Sequence, residues 1–376
     1  MKILYVITGA DIGGAQNHLL YLSEWFHKQG HDVHVVLGEE GPLQEALAHN
    51  QINTTVIPIP RTIHLRKDLQ ALMKLFLFMK KGNYDIVHSH SSKAGILARF
   101  AGFLNRMNKN IYTAHGFVFT DPTLSKKKSM FYLSLEKAFS LISTDIITVS
   151  AFDYQHGSDK GINEEKMTVI HNGIPKNSIL SMADWKTKQR HLREQDKRII
   201  GFVGRFSSEK NLDMLLRVAE RFKKESHEKL EFWLLGDGPL FTHYQTEIKK
   251  RSLESLVHLK GSQGNVAEWL DRMHAMIITS HKEGLPYVLL EACGRGLPVV
   301  STDVGGVKEV VDPLGTENLL VSINDDLDMY NRLVAIISDD KEREQIGLYF
   351  LSLAGSFTVE QMGSKTNEIY TKKRKR

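Results

Sequence analysis

Ser280-His281-Lys282-Glu283-Gly284-Leu285-Pro286-Tyr287-Val288-Leu289-Leu290-Glu291-Ala292 is the stretch that decides the fold of this 376-residue chain. The apolar run 276–279 before it reads as a short buried strand, Gly284 as a turn, and Pro286 as a first-turn residue opening a helix. Backbone N–H groups of Gly284, Leu285 and Tyr287 at such a helix start can point at a phosphate; Pro286 has none to give. Glu283 lies on the turn and Glu291 in the helix, eight residues later. An unpaired buried carboxylate is costly, so two beside one strand end imply engagement by a ligand or a cation. Glu291 can accept both hydroxyls of a ribose, as acidic residues do in dinucleotide folds, and Glu283 can accept from sugar hydroxyls. The plainer alternative is a helix-N-terminal acid plus an exposed glutamate.

Outward from this stretch, the same strand–turn–helix unit repeats. Short β-rich runs fall at 3–7, 33–37, 54–57, 86–88, 110–113, 145–149 and 168–170, with helical patterns between most of them. Asn172-Gly173-Ile174-Pro175 breaks the series. Residues 176–197 are polar and charged apart from Trp185 and read as a linker with some helix. The alternation restarts with strands at 198–203, 230–235, 257–259, 276–279, 298–301 and 319–321, and helices that include 212–224 and 286–295. Buried strands alternating with helices predict parallel sheets covered on both faces. The expected class is α/β, with two Rossmann-like domains whose parallel sheets face each other across a cleft. Residues 1–175 form the first domain and 176–355 the second. Residues 356–376 form a C-terminal helix, 359–373, and a basic tail that pack back on the first.

Ligands bind at the carboxyl ends of strands in open α/β sheets, so residues just after strands carry the chemistry. Gly13-Gly14-Ala15 follow the first strand and precede a helix; the glycines allow close backbone approach to an anion or simply make a tight turn. Their spacing lacks the dinucleotide fingerprint, which argues against a nicotinamide or flavin enzyme. Thr113-Ala114-His115-Gly116 places a histidine at a strand end, either facing a sugar hydroxyl or capping the strand. Among seventeen histidines, the capping reading stays open. Gly204-Arg205-Phe206-Ser207-Ser208-Glu209-Lys210-Asn211 puts two cations on one turn after a strand. Fixed Arg and Lys groups aimed at a leaving diphosphate stabilise the charge that develops as its bond breaks, and can replace a metal ion in doing so. The competing reading is a surface salt bridge of Lys210 with Glu209 or Asp213. Gly236-Asp237-Gly238-Pro239, Lys260-Gly261 and Asp303-Val304-Gly305-Gly306 also follow strands, and Gly261 can offer backbone contacts to a base.

Composition narrows the class. The chain is 41% hydrophobic and 25% charged, ordinary for a globular protein of two domains. No run reaches the roughly 18 apolar residues a membrane span needs, and the short first strand does not read as a signal peptide, so the cytosol is the expected compartment. The single cysteine, Cys293, excludes an intramolecular disulfide and a cysteine-cluster metal site. Net charge is +5, and the placement of the charge is more informative than its sum. Lys126-Lys127-Lys128 precede Met130-Phe131-Tyr132-Leu133. Arg61, His64, Arg66 and Lys67 precede Leu69, Leu72, Leu75, Phe76 and Phe78, then Lys80-Lys81. The chain ends Lys372-Lys373-Arg374-Lys375-Arg376. Basic residues beside exposed apolar ones suit peripheral contact with an anionic membrane; the plainer alternative is two solvated amphipathic helices and a frayed tail. No nucleic-acid-binding module accompanies the charge.

The ordered set Gly13-Gly14-Ala15, His115, Asn172-Gly173-Ile174, Gly204-Arg205 with Lys210-Asn211, Gly236-Asp237-Gly238-Pro239 and the pair Glu283 and Glu291 resembles the large family 4 of retaining glycosyltransferases. That family includes sucrose synthase and bacterial transferases of surface polysaccharide assembly. The resemblance spans residues 1 to about 310, and the combination is specific where no single piece is. It implies the GT-B fold, with the acceptor on the first domain and a nucleotide-sugar donor on the second. It implies catalytic roles for His115, Arg205, Lys210 and Glu283, the cations on the diphosphate, Glu283 on the sugar and Glu291 on the ribose. Gly13, Gly14, Gly261, Gly284, Leu285, Pro286 and Tyr287 would line the substrate site. It implies no tightly bound metal and no other cofactor. A UDP-linked donor and a sugar or polyprenyl-diphosphate-sugar acceptor are the expected substrates, at the inner face of the cell membrane. One departure is local: Ala292-Cys293-Gly294-Arg295-Gly296 stands where many members have a Met-Ala-Cys-Gly-like run, and it touches no catalytic position.

Two other readings share these residues. A nucleotide-sugar 2-epimerase would use a similar donor without a sugar acceptor, and its product is an isomerised or eliminated hexosamine rather than a new glycosidic bond. A non-catalytic subunit would keep the fold for a partner, although Arg205, Lys210, Glu283 and Glu291 are all intact. With no carboxylate in the pattern identifiable as a covalent nucleophile, front-face attack is the expected route, the donor's leaving phosphate taking the acceptor proton.

Overall fold

The computed structural model describes residues 1–225, 229–311 and 319–372. The chain divides into two compact units, Met1–Gly173 with the chain from Thr358 on, and Ile174–Phe357. The first boundary therefore falls two residues before the expected 175, and the second two residues after 355.

The first unit holds a seven-stranded sheet: β1 (Lys2–Ile7), β2 (Asp32–Leu37), β3 (Asn53–Val56), β4 (Ile86–His90), β5 (Lys109–Ala114), β6 (Asp145–Thr148) and β7 (Met167–Val169). All pairings are parallel, in the order β3-β2-β1-β4-β5-β6-β7. Ile3, Leu4, Tyr5, Val6 and Ile7 are all fully buried, as expected of a central strand with helices on both faces. Strand β4 runs two residues beyond the expected 88, because His88 and His90 are buried and pair into the sheet despite being polar. The last helix, Val359–Thr371, lays Met362, Ile369 and Tyr370 into the core that holds Leu19 and Phe26, and Tyr370 stacks on Phe26 at 4.8 Å. Lys109 reaches the Ile369 carbonyl at 2.6 Å. The tail 373–376 lies outside the described residues.

The second unit holds β8 (Arg198–Val203), β9 (Leu230–Leu235), β10 (Val257–Gly261), β11 (Ala275–Ile278), β12 (Val299–Thr302) and β13 (Leu320–Val321). Its order is β10-β9-β8-β11-β12-β13, again all parallel. Each sheet thus begins in its interior, grows outward to its third strand, then restarts on the other side of its first. The reversal opens a crevice beside the first and fourth strands of each unit, the switch point where open α/β sheets bind ligands.

Two local expectations are corrected. The supposed linker is mostly the helix Met182–Glu194, capped by Ser181, whose Oγ accepts from the Asp184 N–H at 3.1 Å. It belongs to the second unit because Trp185 and Leu192 are buried there, Trp185 against Gly296 and Gly347. Pro286 is not in the first turn but caps the helix Tyr287–Gly294 from an extended conformation, φ −70° and ψ 132°.

Candidate functional site

In the second unit, the segments after β8 and β11 meet. Thr279 Oγ1 donates to the Lys210 carbonyl at 2.8 Å, and the His281 N–H donates to the Glu209 carbonyl at 2.8 Å. These bonds bring the two predicted motifs side by side. Lys210 Nζ donates to Glu283 Oε1 at 2.6 Å, and Ser280 Oγ donates to the same oxygen at 2.6 Å. The Lys210 and Glu283 side chains are only 20% and 10% exposed, so water screens this pair less than a surface bridge. Lys210 bonds to neither Glu209 nor Asp213 among the described residues, which removes the surface-bridge alternative. Arg205, on the same turn, is exposed and has no ion pair with a described residue.

Three glycine segments shape the floor. At Gly236, φ is +129°, and a Cβ would stand 2.0 Å from the Gly204 carbonyl oxygen; the loop after β9 can press on the loop after β8 only without a side chain. A Cβ on Gly305, at φ +56°, would stand 1.9 Å from the Glu283 carbonyl oxygen, and the Gly306 N–H donates to the Gly284 carbonyl at 2.6 Å. Gly261 ends β10, and its carbonyl accepts from the Gly236 N–H at 2.8 Å. Gly284, Leu285, Pro286 and Tyr287 lead directly into the helix, with Leu285 and Tyr287 buried. The Glu291 carboxyl, one turn further on, makes no hydrogen bond or ion pair with a described residue, and burial pushes it up to about 7. A carboxyl held that way is ready to accept donors that a ligand brings.

In the first unit, the corresponding crevice lies after β1 and β4. Thr8 Oγ1 and Ser91 Oγ are 2.8 Å apart and tie the two strand ends together. Gly13 caps the helix Gly14–Lys28 in extended backbone, which any residue adopts, so the structure gives no conformational reason for glycine at 13. His115 follows β5, and its Nε2 lies 3.1 Å from His90 Nδ1. The His18 ring packs edge-on to His115 at 4.8 Å and tilted to His90 at 5.3 Å. His18 Nδ1 meets Asn172 Oδ1 at 2.9 Å; the carbonyl oxygen can only accept, so Nδ1 carries the proton. His88 sits behind, between Tyr370 Oη at 2.6 Å and Thr113 Oγ1 at 2.7 Å. Burial presses the His18 imidazolium down to about 4, and burial together with the neighbouring imidazoles presses His88, His90 and His115 well below the ordinary value.

Sequence reasoning named His115 but missed His18, His90 and Ser280. The signal for His90 was the His88-Ser89-His90 alternation, which puts both rings on one face of a strand. His18 and Ser280 carried no signal of their own; only the packing reveals them.

The membrane-facing expectation is partly redrawn. On the helix Leu65–Gly82, Leu75 is buried, and Leu72, Phe76 and Phe78 pack against the core. The exposed apolar residues are instead Leu65, Leu69, Met73 and Leu77, one turn apart, with Phe100, Phe103 and Leu104 on the following helix and Met130 and Phe131 beyond. Among the described residues, no helix is long and apolar enough to cross a membrane.

Comparison with known proteins agrees with this architecture. A family model described as Glycosyltransferase Family 4 matches residues 12–177, and one described as Glycosyl transferases group 1 matches residues 183–349. The UDP-Gal:alpha-D-GlcNAc-diphosphoundecaprenol alpha-1,3-galactosyltransferase of Escherichia coli is 30% identical over 365 residues, covering 91% of this chain and 89% of that protein. The capsular polysaccharide biosynthesis glycosyltransferase CapM of Staphylococcus aureus is 27% identical, covering 86% and 85%. Among solved structures, Anabaena HepE in complex with UDP and glucose superposes with a TM-score of 0.83 at 20% identity, over 99% of this chain and 100% of that one. WaaG, a glycosyltransferase involved in lipopolysaccharide biosynthesis, superposes with a TM-score of 0.76 at 14% identity, over 99% and 100%. Two parallel switch-point sheets, a matching family model on each and a relative 30% identical over 91% of the chain make this chain a GT-B glycosyltransferase of family 4.

Proposed function

We propose that the protein transfers a hexose or N-acetylhexosamine from a UDP-sugar to a polyprenyl-diphosphate-linked sugar, with retention of configuration, in the assembly of a cell-surface polysaccharide. The observation that carries this reading is the junction of Arg205, Lys210 and Glu283 at the switch point of the second unit. An open guanidinium and an ammonium on one turn suit a diphosphate, whose charge grows as the glycosidic bond breaks. These cations do the work that a metal ion does in other transferases. Glu283, held by Lys210 and Ser280 through Oε1, keeps Oε2 for donor sugar hydroxyls. Glu291 takes the ribose hydroxyls, Gly261 borders the base, and the segment Gly284–Tyr287 lies along the phosphates. On the first unit, Gly13, Gly14 and His115 belong to the acceptor and the reacting sugar. Glu283 is engaged in an ion pair, which supports front-face attack with the leaving phosphate as the base over attack by this carboxylate.

The named substrate of the E. coli relative and the UDP in HepE support the choice of donor and acceptor. A lipid-linked acceptor also suits the basic, apolar surface of the first unit. Leu65, Leu69, Met73 and Leu77 lie among Arg66, Lys67, Lys74, Lys80 and Lys81. That chemistry matches the anionic face of a bilayer, with the apolar residues entering the headgroup layer.

Thermal unfolding with UDP, GDP or ADP, each with and without EDTA, tests the donor site. A nucleotide at 100 times its dissociation constant adds about 2.7 kcal/mol. A rise with UDP that EDTA leaves untouched is the expected result. A rise only with GDP or ADP, or one abolished by EDTA, overturns the base or the metal-free diphosphate site.

A further inference from the structure

We infer that His18, His90 and His115 form a binding site for one divalent transition cation of the zinc class. The donor nitrogens of the three rings all lie within 4.8 Å of one another. His90 Nδ1 and His115 Nε2 stand 3.1 Å apart, against the roughly 3.3 Å that separates two nitrogens on a tetrahedral zinc with bonds of about 2.0–2.1 Å. A movement of about 1.5 Å in the widest pair closes the rest of the set onto one ion.

The second observation is independent of this spacing. His18 Nε2 is buried and has no hydrogen-bond partner among the described residues, in a ring that is 1% exposed. A native interior seldom leaves such an atom unpaired without a ligand to meet it. For His18, the tautomer is set by Asn172. The proton sits on Nδ1, so Nε2 keeps a bare lone pair and is the nitrogen left to ligate. An outer-shell oxygen on the far nitrogen is also how metal-binding histidines are held in orientation.

The donor set selects the ion. Three imidazoles, with no carboxylate among them, suit Zn²⁺, Co²⁺ or Ni²⁺ and do not suit Mg²⁺ or Ca²⁺, which take oxygen ligands. Because burial keeps all three rings neutral at pH 7, the cation displaces no imidazolium proton. The hydrogen shared between His90 Nδ1 and His115 Nε2 moves to the other nitrogen of its own ring. Three ligands leave a fourth position open for water or a substrate hydroxyl. If His115 meets the reacting sugar, as proposed above, the ion competes for that ring, and zinc inhibits transfer; this consequence alone rests on the functional reading.

The test uses the full-length protein, stripped with a chelator and titrated with CoCl₂, followed by visible absorption and by calorimetry with ZnCl₂ as competitor. One cobalt per chain, with the intense visible bands of a low-coordinate site and displacement by zinc, is expected. His115→Ala, the least buried of the three positions, should weaken cobalt binding at least about 100-fold while circular dichroism stays native; His90→Ala should do the same. No uptake by the stripped protein, or uptake unchanged in a folded His115→Ala, overturns the site. Should zinc bind but leave sugar transfer unaffected, the site stands and the assignment of His115 to the sugar falls.

Discussion

The two units share a strand order and a switch point but fill it with opposite chemistry. In the second unit, the loops after the first and fourth strands bring Lys210 to Glu283 beside an open Arg205: fixed charge, suited to phosphate. In the first, the same crevice is lined by neutral imidazoles, with His18 following the first strand and His90 ending the fourth. One topology thus supplies a charged cradle and a neutral, hydrogen-bonding one. The difference lies in a handful of side chains at strand ends, while the strands below them are interchangeable apolar runs.

The sharpest way to break this contrast is to remove charge from the second unit. Lys210→Ala should lower kcat by about 10²–10³-fold, the cost of losing one preorganised group at developing charge. Its Nζ makes one ion pair and its backbone holds the turn, so the fold should survive: the Thr279 bond is to the Lys210 carbonyl, which alanine keeps. Initial rates with a UDP-sugar and a synthetic lipid-diphosphate-sugar measure it. An unchanged kcat would mean the two crevices do not divide the labour this way.

Acid should separate the units next. The unfolded chain protonates His18 near 6.5, the folded one only near 4, so between those values the unfolded state binds more protons and stability falls as pH falls. From pH 7 to pH 5, His18 alone costs about 2 kcal/mol. His88, His90 and His115 push in the same direction. In the second unit, His274 is likewise pressed to about 4, but Glu291 works against it: its folded carboxyl gains a proton near 7 and the unfolded one only near 4.5, so acid stabilises. Hydrogen exchange at pH 7 and pH 5 should therefore show β5 losing more protection than β8. An equal or greater loss in β8 would contradict the buried, neutral histidine cluster.

How much of this was legible in the sequence differs between the units for the same reason. The strands β8 and β9 are readable to the residue, because 198–203 and 230–235 are apolar runs ended by glycine. Lys210 and Glu283 are each visible as a charged residue on a glycine turn, although 73 positions apart, and only the β8–β11 adjacency makes them a pair. The histidine cluster was less legible. His88 and His90 look like polar residues that should end a strand, and burial among Tyr5, Tyr370 and Thr113 overrides that local preference. The helix Met182–Glu194 is legible only as some helix within a linker, because its composition is mostly charged. Its burial rests on few residues, chiefly Trp185 and Leu192, too few for a clear period.

Glu291 offers a gentler probe of the second crevice. With its carboxyl near 7, a share of the empty sites is protonated at pH 6.5. Ribose hydroxyls donate to the carboxylate and favour its charged form, so binding UDP should release a fraction of a proton below pH 7 and none well above it. Calorimetry in two buffers of different ionisation enthalpy reads that fraction directly, and Glu291→Gln should abolish it. Release that persists in the variant would assign the proton to another group and leave Glu291 without its proposed contact.

The smallest expected effect on stability falls on the outer surface, where the units differ again. Among the described residues, exposed large apolar side chains in the second unit are scattered at Met182, Ile323, Leu327 and Leu348. In the first, Leu65, Leu69, Met73 and Leu77 form a stripe beside lysines and arginines. Leu69→Glu should change unfolding free energy by no more than about 0.5 kcal/mol, because the side chain is already 59% exposed and supports no core. The same change puts a negative charge where an anionic bilayer would sit. Sedimentation with phosphatidylglycerol vesicles should drop several-fold, while turnover of a short-chain, water-soluble acceptor stays at the wild-type rate. Leu348→Glu, on the second unit, serves as the matched control and should leave vesicle binding unchanged. If both substitutions reduce sedimentation equally, membrane attraction follows net charge alone, and the stripe on the first unit has no special part in it.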